Sequence, residues 1–586
     1  MARARERTSA TLAAWAPALA AATACVLFVA AIHRASPRTL VSFHGLLHAA
    51  LAQRFLDPET ATFPPENPFF AGEPVPYYWF YQFVAAQLVR GFGWNVFHAL
   101  ESVVLAATAT LILAGVALGR ALYGSALAGG LVAYLVLAGT NAFGFLFAGL
   151  KVALQGSALL EEDPGYLWNV VHPVYSLIRY ADPGGLYGPL LNFFLNITSR
   201  PAALAALLVT VLLLERTLRS PTWPRCAGLV LAAAATTAFS PVVGIPAAGV
   251  LLAASTVGPL AERWTPRLWG GLTPAAGPRA RRRVAAALVA GSLLAAPTYA
   301  HLLTGPSARG MRFALDSAPG LHHLLTVALS SLVLLVLAVV GWRRSPPGAR
   351  GFAGTLLMAG CLLLLATVTV HLPEGNESNF FHAAVVLLAV PAAGSVLRRA
   401  QADGRPVVSR ARAGAVVLVF LPTLLLLVSA YLDRPPIPVA FGDERPTRLP
   451  QRSDLARFYA WAQRETPADA VFVVDPRSRV AVCGNTAELP AMTGRTLFTE
   501  ESAHYVVEPY PDSIMRVEIA LRLTGGVPLE GVQRSYVQSL GRPVFIVRQE
   551  TTKAAPLQRM HGLLGAPLFH AGEISVFRWH RNGEVA

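Results

Sequence analysis

The segment from residue 41 to residue 81 holds the side chains best suited to chemistry in this sequence. Its second half carries Glu66 and Glu73 within the proline-rich run FPPENPFFAGEPVP. Prolines restrict the free loop and fix its path, which suits a site that needs a positioned carboxylate. Such a carboxylate can take the proton from an acceptor hydroxyl as that hydroxyl attacks the anomeric carbon of a sugar. The loop therefore permits glycosyl transfer, with Glu66 as the favoured base and Glu73 as a further candidate base or a substrate contact.

Other residues of this loop are candidates for the same site. Asp57 and Glu59 are further possible bases, and His44 and His48 lie one turn apart on a predicted amphipathic helix. We expect this helix to lie on the membrane surface. The two histidines could act in catalysis, bind substrate or bind a metal, although surface or core positions are the simpler interpretation. Glu66 could likewise only cap a turn.

The loop ends in Tyr77, Tyr78 and Trp79, just before the next apolar run. Aromatic residues at this position are typical of anchors at the membrane interface. An aromatic ring can also stack on a sugar, so we count Tyr78 among the possible substrate contacts.

A second polar segment, residues 151–200, contains the adjacent acids Glu161, Glu162 and Asp163. Three neighbouring carboxylates could hold a divalent cation, such as Mg²⁺ or Mn²⁺, against the phosphate of a donor. A solvated acidic turn is the alternative. The sequence leaves both interpretations open.

Two arginines and a late helix entry add possible substrate contacts. Arg179 and Arg200 lie in the second polar segment, and a guanidinium there could meet a lipid phosphate with two hydrogen bonds or serve as an ordinary interfacial arginine. Glu377 and Asn379 lie in the stretch LPEGNESNFFH, where a helix enters the membrane. Placing polar groups at that depth costs free energy unless they contact a ligand or a partner. Capping of the helix start is the alternative interpretation.

The composition places most of the chain in a membrane. Hydrophobic residues make up 54% and charged residues 14% of it, and its mean hydropathy is +0.48. Apolar runs of about 20 residues, the length that crosses a hydrocarbon core, recur from residue 11 to residue 431. The net charge of +15 comes mainly from arginines in short loops. We interpret them as topology signals and not as contacts to nucleic acid.

These basic loops predict a protein of the plasma membrane with its N-terminus in the cytoplasm. Residues 1–432 would form the transmembrane domain, with outer loops at 33–76 and 151–200. The segment 77–150 contains three apolar stretches, the last of which could be two short helices that turn near Gly139. Because both flanking loops must lie outside, the sequence predicts either eleven or thirteen crossings.

Residues 433–586 have a different character, since charged residues, prolines and short alternating apolar runs replace the long apolar ones. The periodicity predicts the helices Asp454–Arg464 and Ser513–Leu523 and the strands Val471–Val474, Val544–Val547 and Ile574–Trp579. Alternating strands and helices favour a soluble, extracytoplasmic α/β domain with a partly parallel sheet. Asp475, Glu488 and Arg495 border this sheet, where they could recognise an acceptor or support the membrane part.

The order of these parts resembles the GT-C class of membrane glycosyltransferases. That class combines an N-terminal helix, a long outer loop with a helix along the membrane, many further helices and an outer C-terminal α/β domain. The string FPPENPFFAGEPVPYYWFY resembles the proline-rich, acid-bearing loop, ending in tyrosines, of several such families.

The resemblance implies a polyprenyl-phosphate-linked sugar as donor and a glycan, lipid or protein of the cell envelope as acceptor. It also implies an acidic base in the first outer loop, commonly soon after the first helix. This sequence departs from that pattern, because the segment 36–56 contains no acid and offers His44 and His48 instead.

Two other functions fit the same architecture. A transporter or lipid flippase would want charged or broken helices near the bilayer midplane, and the predicted helix centres are almost free of ionisable residues. A non-catalytic scaffold of envelope assembly would share the fold and lack only a competent acid.

Overall fold

A helical bundle and a smaller mixed sheet make up the computed structural model of this chain. The structure describes residues 2–35, 43–57, 61–146, 187–264, 276–304, 312–313, 317–372, 376–399, 406–432, 452–476, 482–483, 486–500, 507–549 and 554–580.

The bundle contains long helices joined by short helices and turns. Its helices are α1 Ala2–Ala35, α2 Phe43–Gln53, α3 Phe80–Phe92, α4 Val96–Tyr123, α5 Ala126–Ala138, α6 Leu191–Phe194, α7 Arg200–Arg219, α8 Trp223–Phe239, α9 Pro241–Trp264, α10 Pro278–Leu294, α11 Ala300–Thr304, α12 Ser317–Arg344, α13 Pro347–Thr369, α14 Ser378–Ala393 and α15 Arg410–Leu432. Two antiparallel pairs join β1 (Arg312–Phe313) to β2 (Val370–His371) and β3 (Leu397–Arg399) to β4 (Pro406–Val408).

Seven helices among the described residues are long and apolar enough to cross a membrane. They are Trp15–Ala35, Val96–Tyr123, Arg200–Arg219, His323–Arg344, Pro347–Thr369, Ser378–Val396 and Arg410–Ser429. The predicted polytopic helical membrane protein is therefore confirmed.

Contacts between α1 and α4 define two ends of the bundle. Nδ1 of His33, near the end of α1, lies 3.1 Å from Oε1 of Glu101, near the start of α4. The guanidinium of Arg120, near the end of α4, lies over the Trp15 ring of α1 at 4.6 Å. The two helices are thus antiparallel, and we name the end at His33 the loop end.

Helix α3 does not pass between these ends, because the chain leaves the loop end with α1 and enters α4 at the same end. Its 13 residues span about 20 Å, which is short of a hydrocarbon core of about 30 Å. The apolar stretch 77–94 is therefore not a crossing. The number of crossings, eleven or thirteen, stays a prediction.

Arginines cap the opposite end of the bundle. Arg219 donates to the carbonyl of Ala121 at 3.2 Å, and Arg412 donates to the carbonyl of Leu397 at 3.0 Å. Arg344 similarly donates to the carbonyl of Ser395. The basic loops thus lie at one end, as a topology signal requires. That this end faces the cytoplasm stays a prediction.

Close contact between α4 and α5 depends on glycine. A Cβ atom added at Gly129 would lie 2.4 Å from Cα of Val116, whereas one at Gly130 would meet nothing within 4 Å. We expect Gly129→Val to lower the free energy of unfolding by about 1–3 kcal/mol more than Gly130→Val, because overpacking separates the helices. Thermal unfolding of both variants in detergent measures this difference, and equal stability would contradict the close approach.

Five strands of the C-terminal part form one sheet in the order β10, β11, β9, β5, β8. The strands of this sheet are β5 Val471–Val473, β8 Thr496–Leu497, β9 Val544–Gln549, β10 Phe569–Ala571 and β11 Ile574–Trp579, and a separate antiparallel pair is formed by β6 Val482–Cys483 and β7 Thr486–Ala487. The helices are α16 Arg452–Glu465, α17 Glu488–Thr493, α18 Ser513–Thr524, α19 Gly531–Ser539 and α20 Ala554–Leu564. Because β5 is parallel to both β8 and β9, the predicted partly parallel sheet is confirmed.

The proline-rich loop covers the edge of this sheet. Glu66 and Pro74 pair as an antiparallel bridge, which makes residues 65–75 a tight hairpin that we name the loop hairpin. Leu497 of the edge strand β8 donates its backbone N–H to the carbonyl of Pro68 at 2.8 Å and accepts from the N–H of Ala71 at 3.0 Å. The hairpin therefore satisfies backbone groups that an open sheet edge would expose.

Helix α2 is buried, contrary to the prediction of an amphipathic surface helix. Its residues 46–52, which include His48, are all fully buried. The physical reason is that the C-terminal part covers it, since Gln53 donates to the carbonyl of Ala491 in α17 at 3.2 Å. A helix covered on one side by the bundle and on the other by a folded domain has no solvent face to keep polar.

Candidate active site

A cavity of about 440 Å³ lies where the end of α2, the loop hairpin and the C-terminal part meet. We name it the junction cavity. Its volume is within the roughly 300–1,000 Å³ typical of small-molecule sites. Its lining consists of Arg54, Thr62, Pro64, Glu66, Gly72, Glu73, Pro74, Asp469 and Arg542. The two glutamates that the sequence singled out in the loop therefore face one cavity together.

Glu66 joins three parts of the chain through its carboxylate. Oε2 accepts from Nη2 of Arg54 at 2.5 Å, and Oε1 accepts from Arg542 and from the backbone N–H of Gly72, the latter at 2.8 Å. The Glu66 side chain is 13% exposed and that of Arg54 only 3%. Removal of one partner from so buried an ion pair leaves an uncompensated charge and is strongly destabilising. This geometry suits Glu66 to hold two guanidiniums in place.

Glu73 has a different environment, although it lines the same cavity. Its side chain is half-buried, and its carboxylate makes no hydrogen bond or salt bridge in the part of the chain that the structure describes. Burial raises the pKa of the neighbouring Tyr510 hydroxyl, and the charge of Glu73 raises it further. The hydroxyl of Tyr510 donates to the carbonyl of Pro74. Among the described residues Glu73 is thus a carboxylate without a partner, at a position fixed by the hairpin.

Further charges surround the two glutamates. Burial lowers the pKa of the Arg54 guanidinium; the charges of Glu66 and Asp57 oppose this effect, and those of Arg542 and Arg495 add to it. Arg542 also donates through Nε to the backbone carbonyl of Asp469 at 2.5 Å. With Asp469 the group contains three arginines and four carboxylates, so it can offer both hydrogen-bond donors and acceptors to a polyhydroxylated ligand.

Sequence reasoning missed Arg54, Asp469 and Arg542. Arg54 is twelve residues from Glu66, but Arg542 is 476 residues away. No local spacing predicts a contact over that distance. Arg495 was predicted at the border of the sheet, and it does lie close enough to Asp57 and Asp469 for their charges to act on its guanidinium. Glu488 accepts from the hydroxyl of Tyr459 at 2.9 Å inside the C-terminal part.

His48 and Tyr78 lie on the bundle side of the loop. Nδ1 of His48 is 2.7 Å from Nε2 of Gln82, between α2 and α3, and the ring is fully buried. Tyr78 stacks on Tyr77 with ring centroids 4.3 Å apart, and its hydroxyl lies 3.5 Å from that of Ser199. His44 is the second residue of α2. These positions place the loop histidines and tyrosines at the loop end.

Arg200, Glu377 and Asn379 gather at the same end, around the starts of α7 and α14. The guanidinium of Arg200 lies over the Phe193 ring at 4.6 Å, and this ring lies 4.6 Å from that of His382. Glu377 accepts from the backbone N–H of Leu372 at 3.1 Å, and Asn379 donates to the carbonyl of Asn376 at 2.9 Å. Their predicted role as substrate contacts stays a prediction.

Tyr187 and His323 extend this group and were not anticipated. The Tyr187 hydroxyl lies 3.0 Å from Nε2 of His323, whose ring centroid is 5.8 Å from that of His371. These residues are too far apart in the sequence for any pattern to connect them.

Several predicted site residues lie outside the described residues. They are Glu59, Glu161, Glu162, Asp163 and Arg179. Within the described ranges no group of three or more His, Cys, Asp or Glu side chains could hold a metal ion. A divalent cation at Glu161, Glu162 and Asp163 therefore stays a prediction.

Comparison with known proteins gives structural matches only. No family model matches the chain, and no curated protein matches it. Among solved structures, it is similar to ArnT from Cupriavidus metallidurans in the apo state, with 12% identity, a TM-score of 0.46 and coverage of 95% of this chain and 98% of that chain. ArnT bound to undecaprenyl phosphate gives 12% identity, a TM-score of 0.47 and coverage of 96% and 97%.

A third structure is the archaeal oligosaccharyltransferase AglB from Archaeoglobus fulgidus, in complex with an inhibitory peptide and a dolichol-phosphate. It gives 9% identity, a TM-score of 0.41 and coverage of 90% of this chain and 69% of that chain.

Proposed function

We propose that this protein is a membrane glycosyltransferase that moves a sugar from a polyprenyl-phosphate carrier to an acceptor of the cell envelope. The observation that carries the proposal is the junction cavity, where the available carboxylate of Glu73 lies in one lining with the guanidiniums of Arg54 and Arg542. Transfer from a phosphate-bearing donor needs a base for the acceptor and cations for the leaving group.

Each reacting group has a counterpart among these residues. Glu73 takes the proton of the acceptor hydroxyl, and the hydroxyl oxygen forms a new bond to the anomeric carbon of the sugar. The bond from that carbon to the phosphate oxygen breaks, and its electron pair leaves with the polyprenyl phosphate. Arg54 and Arg542 stabilise the charge that develops on this phosphate, because guanidiniums bind phosphate through several N–H groups.

Glu66 acts in this proposal as a positioning residue. Because it already holds Arg54 and Arg542, their remaining donors need no reorganisation when charge develops on the phosphate. Nε of Arg54 is buried and has no hydrogen-bond partner in the described part of the chain. Glu73 thus replaces Glu66 as the proposed base, and the predicted chemistry is otherwise unchanged.

The proposed sidedness places the junction cavity outside the cytoplasm. It is supported by the arginines at the opposite end of the bundle, which are typical of cytoplasmic loops. Arg200 and the neighbouring polar groups at the loop end would then meet lipid head groups or the acceptor. A divalent cation at Glu161, Glu162 and Asp163 would add charge to the phosphate side.

The test is a transfer assay with the full-length protein in lipid nanodiscs. The donors are hexoses and pentoses radiolabelled in the sugar and linked to polyprenyl phosphate, and envelope extract supplies the acceptor. We expect protein-dependent loss of label from the carrier with an equal yield of polyprenyl phosphate. In proteoliposomes, movement of intact donor between leaflets would show instead that the protein is a flippase. If no donor is either transferred or moved, the non-catalytic scaffold is favoured. Addition of EDTA tests the predicted cation.

A further inference from the structure

Four aromatic rings form a patch beside the junction cavity. Phe55, Phe63, Trp79 and Phe83, which we name the aromatic patch, have ring centroids 5.3–6.1 Å apart. Phe55 and Trp79 are buried beneath, whereas Phe63 is 62% exposed. A large aromatic ring held by three others yet open on its outer face is a surface that an apolar ligand can cover.

The cavity and the aromatic patch lie on opposite sides of the same two chain segments, which we name the wall. Arg54 lines the cavity, and the next residue, Phe55, belongs to the patch. Thr62 and Pro64 line the cavity, and Phe63 between them belongs to the patch. Two chain segments thus alternate between a charged side and an aromatic side. A ligand that fits both sides has a polar head joined to an apolar tail.

A buried polar atom at the patch also points to a ligand. The Trp79 side chain is only 7% exposed, and its indole N–H has no hydrogen-bond partner among the residues that the structure describes. Buried indole N–H groups usually find an acceptor.

We propose that the isoprenoid chain of the lipid-linked donor lies over the aromatic patch, with its phosphate and sugar across the wall in the junction cavity. This inference rests on the proposed function for the identity of the head group. The first isoprene units cover Phe63 and Phe83, and the chain continues from there into the bilayer. An ordinary acyl chain of the bilayer is the competing occupant.

The test uses photo-cross-linking and does not depend on catalysis. The probe is polyprenyl phosphate with a photoreactive group in its first isoprene unit, added to the full-length protein in phosphatidylcholine nanodiscs. We expect labelling of the peptides that contain Phe63 and Trp79, competition by unlabelled polyprenyl phosphate, and no competition by phosphatidylglycerol. Equal competition by phosphatidylglycerol, or labelling elsewhere, would overturn the proposal.

Variants separate the patch from other lipid-facing rings. Phe63→Ala should lower the labelling and raise KM for the donor about three- to tenfold with kcat unchanged, since one aromatic contact is lost. Phe63→Leu should retain most of the labelling. The matched control is Phe28→Ala, because Phe28 is an exposed ring of α1. Specific labelling without any sugar transfer would refute the proposed function and leave this binding site in place.

Discussion

Replacement of Glu73 by glutamine is expected to lower kcat for sugar transfer by about 10²–10⁴-fold, because the amide cannot accept the proton of the acceptor hydroxyl. The fold should persist, since the Glu73 carboxylate holds no partner in the described part of the chain. Donor binding should also persist, because Arg54 and Arg542 remain. The measurement is the single-turnover rate with labelled donor in nanodiscs.

The matched control is Glu465→Gln, the same change at an exposed position at the end of α16. It should transfer sugar at the wild-type rate. A Glu73→Gln variant with wild-type kcat would remove Glu73 from the role of base. If Glu66→Gln then lost transfer while keeping its stability, the original prediction of Glu66 as base would stand.

A second large effect is expected from Arg516, which fastens the loop hairpin to the C-terminal part. Nη1 of Arg516 donates to the carbonyl of Ala71 at 2.6 Å and to that of Phe498 at 3.0 Å. The guanidinium also lies 3.8 Å from the centroid of the Phe70 ring, and the residue is 2% exposed. Loss of the guanidinium would leave the buried carbonyl groups of Ala71 and Phe498 without this hydrogen-bond donor and the Phe70 ring without its cation.

We expect Arg516→Met to weaken docking of the hairpin by about 3–5 kcal/mol, as for other buried charges whose network is broken. Native-state hydrogen exchange of the full-length protein measures this directly at the backbone amides of Ala71 and Leu497, which pair across the docking contact. Their exchange should accelerate by about 10²–10⁴-fold.

Arg457→Met is the control for Arg516, because the Arg457 side chain is 66% exposed and its nearest acid atom, in Asp454, is 3.8 Å away. A surface pair of this kind contributes little, so exchange at Ala71 should stay close to that of the wild type. Arg516→Lys should fall between the two, since an ammonium cannot reproduce the planar donors. Unchanged exchange in Arg516→Met would show that the hairpin is held by other contacts.

Local patterns were sufficient for two helices and three strands of the C-terminal part, whereas its shorter strands and its other three helices were not predicted. Strand Ile574–Trp579 and the start of the helix at Ser513 agree with the predicted bounds, because alternating and amphipathic periodicities act over a few residues. The polytopic bundle was equally predictable from its apolar runs. The assignment of 77–94 was ambiguous, since a short apolar helix and a crossing differ mainly in length.

Long-range contacts account for what the sequence did not reveal. Helix α2 looked amphipathic in isolation, and its contacts with the bundle on one side and with α17 on the other explain why it is buried. The acids of the loop were visible, but their different environments depend on Arg542, which lies far away in the chain. Burial and pairing are properties of the assembled fold, whereas a motif reports only which side chains are present.

The most direct test of the account is a structure of the protein with a polyprenyl-linked sugar phosphonate, which cannot transfer its sugar. We predict that the phosphonate lies against Arg54 and Arg542 and that the sugar lies beside Glu73 in the junction cavity. An ordered analogue bound beside Arg200 and His382, with no analogue in the junction cavity, would contradict the proposed role of that cavity.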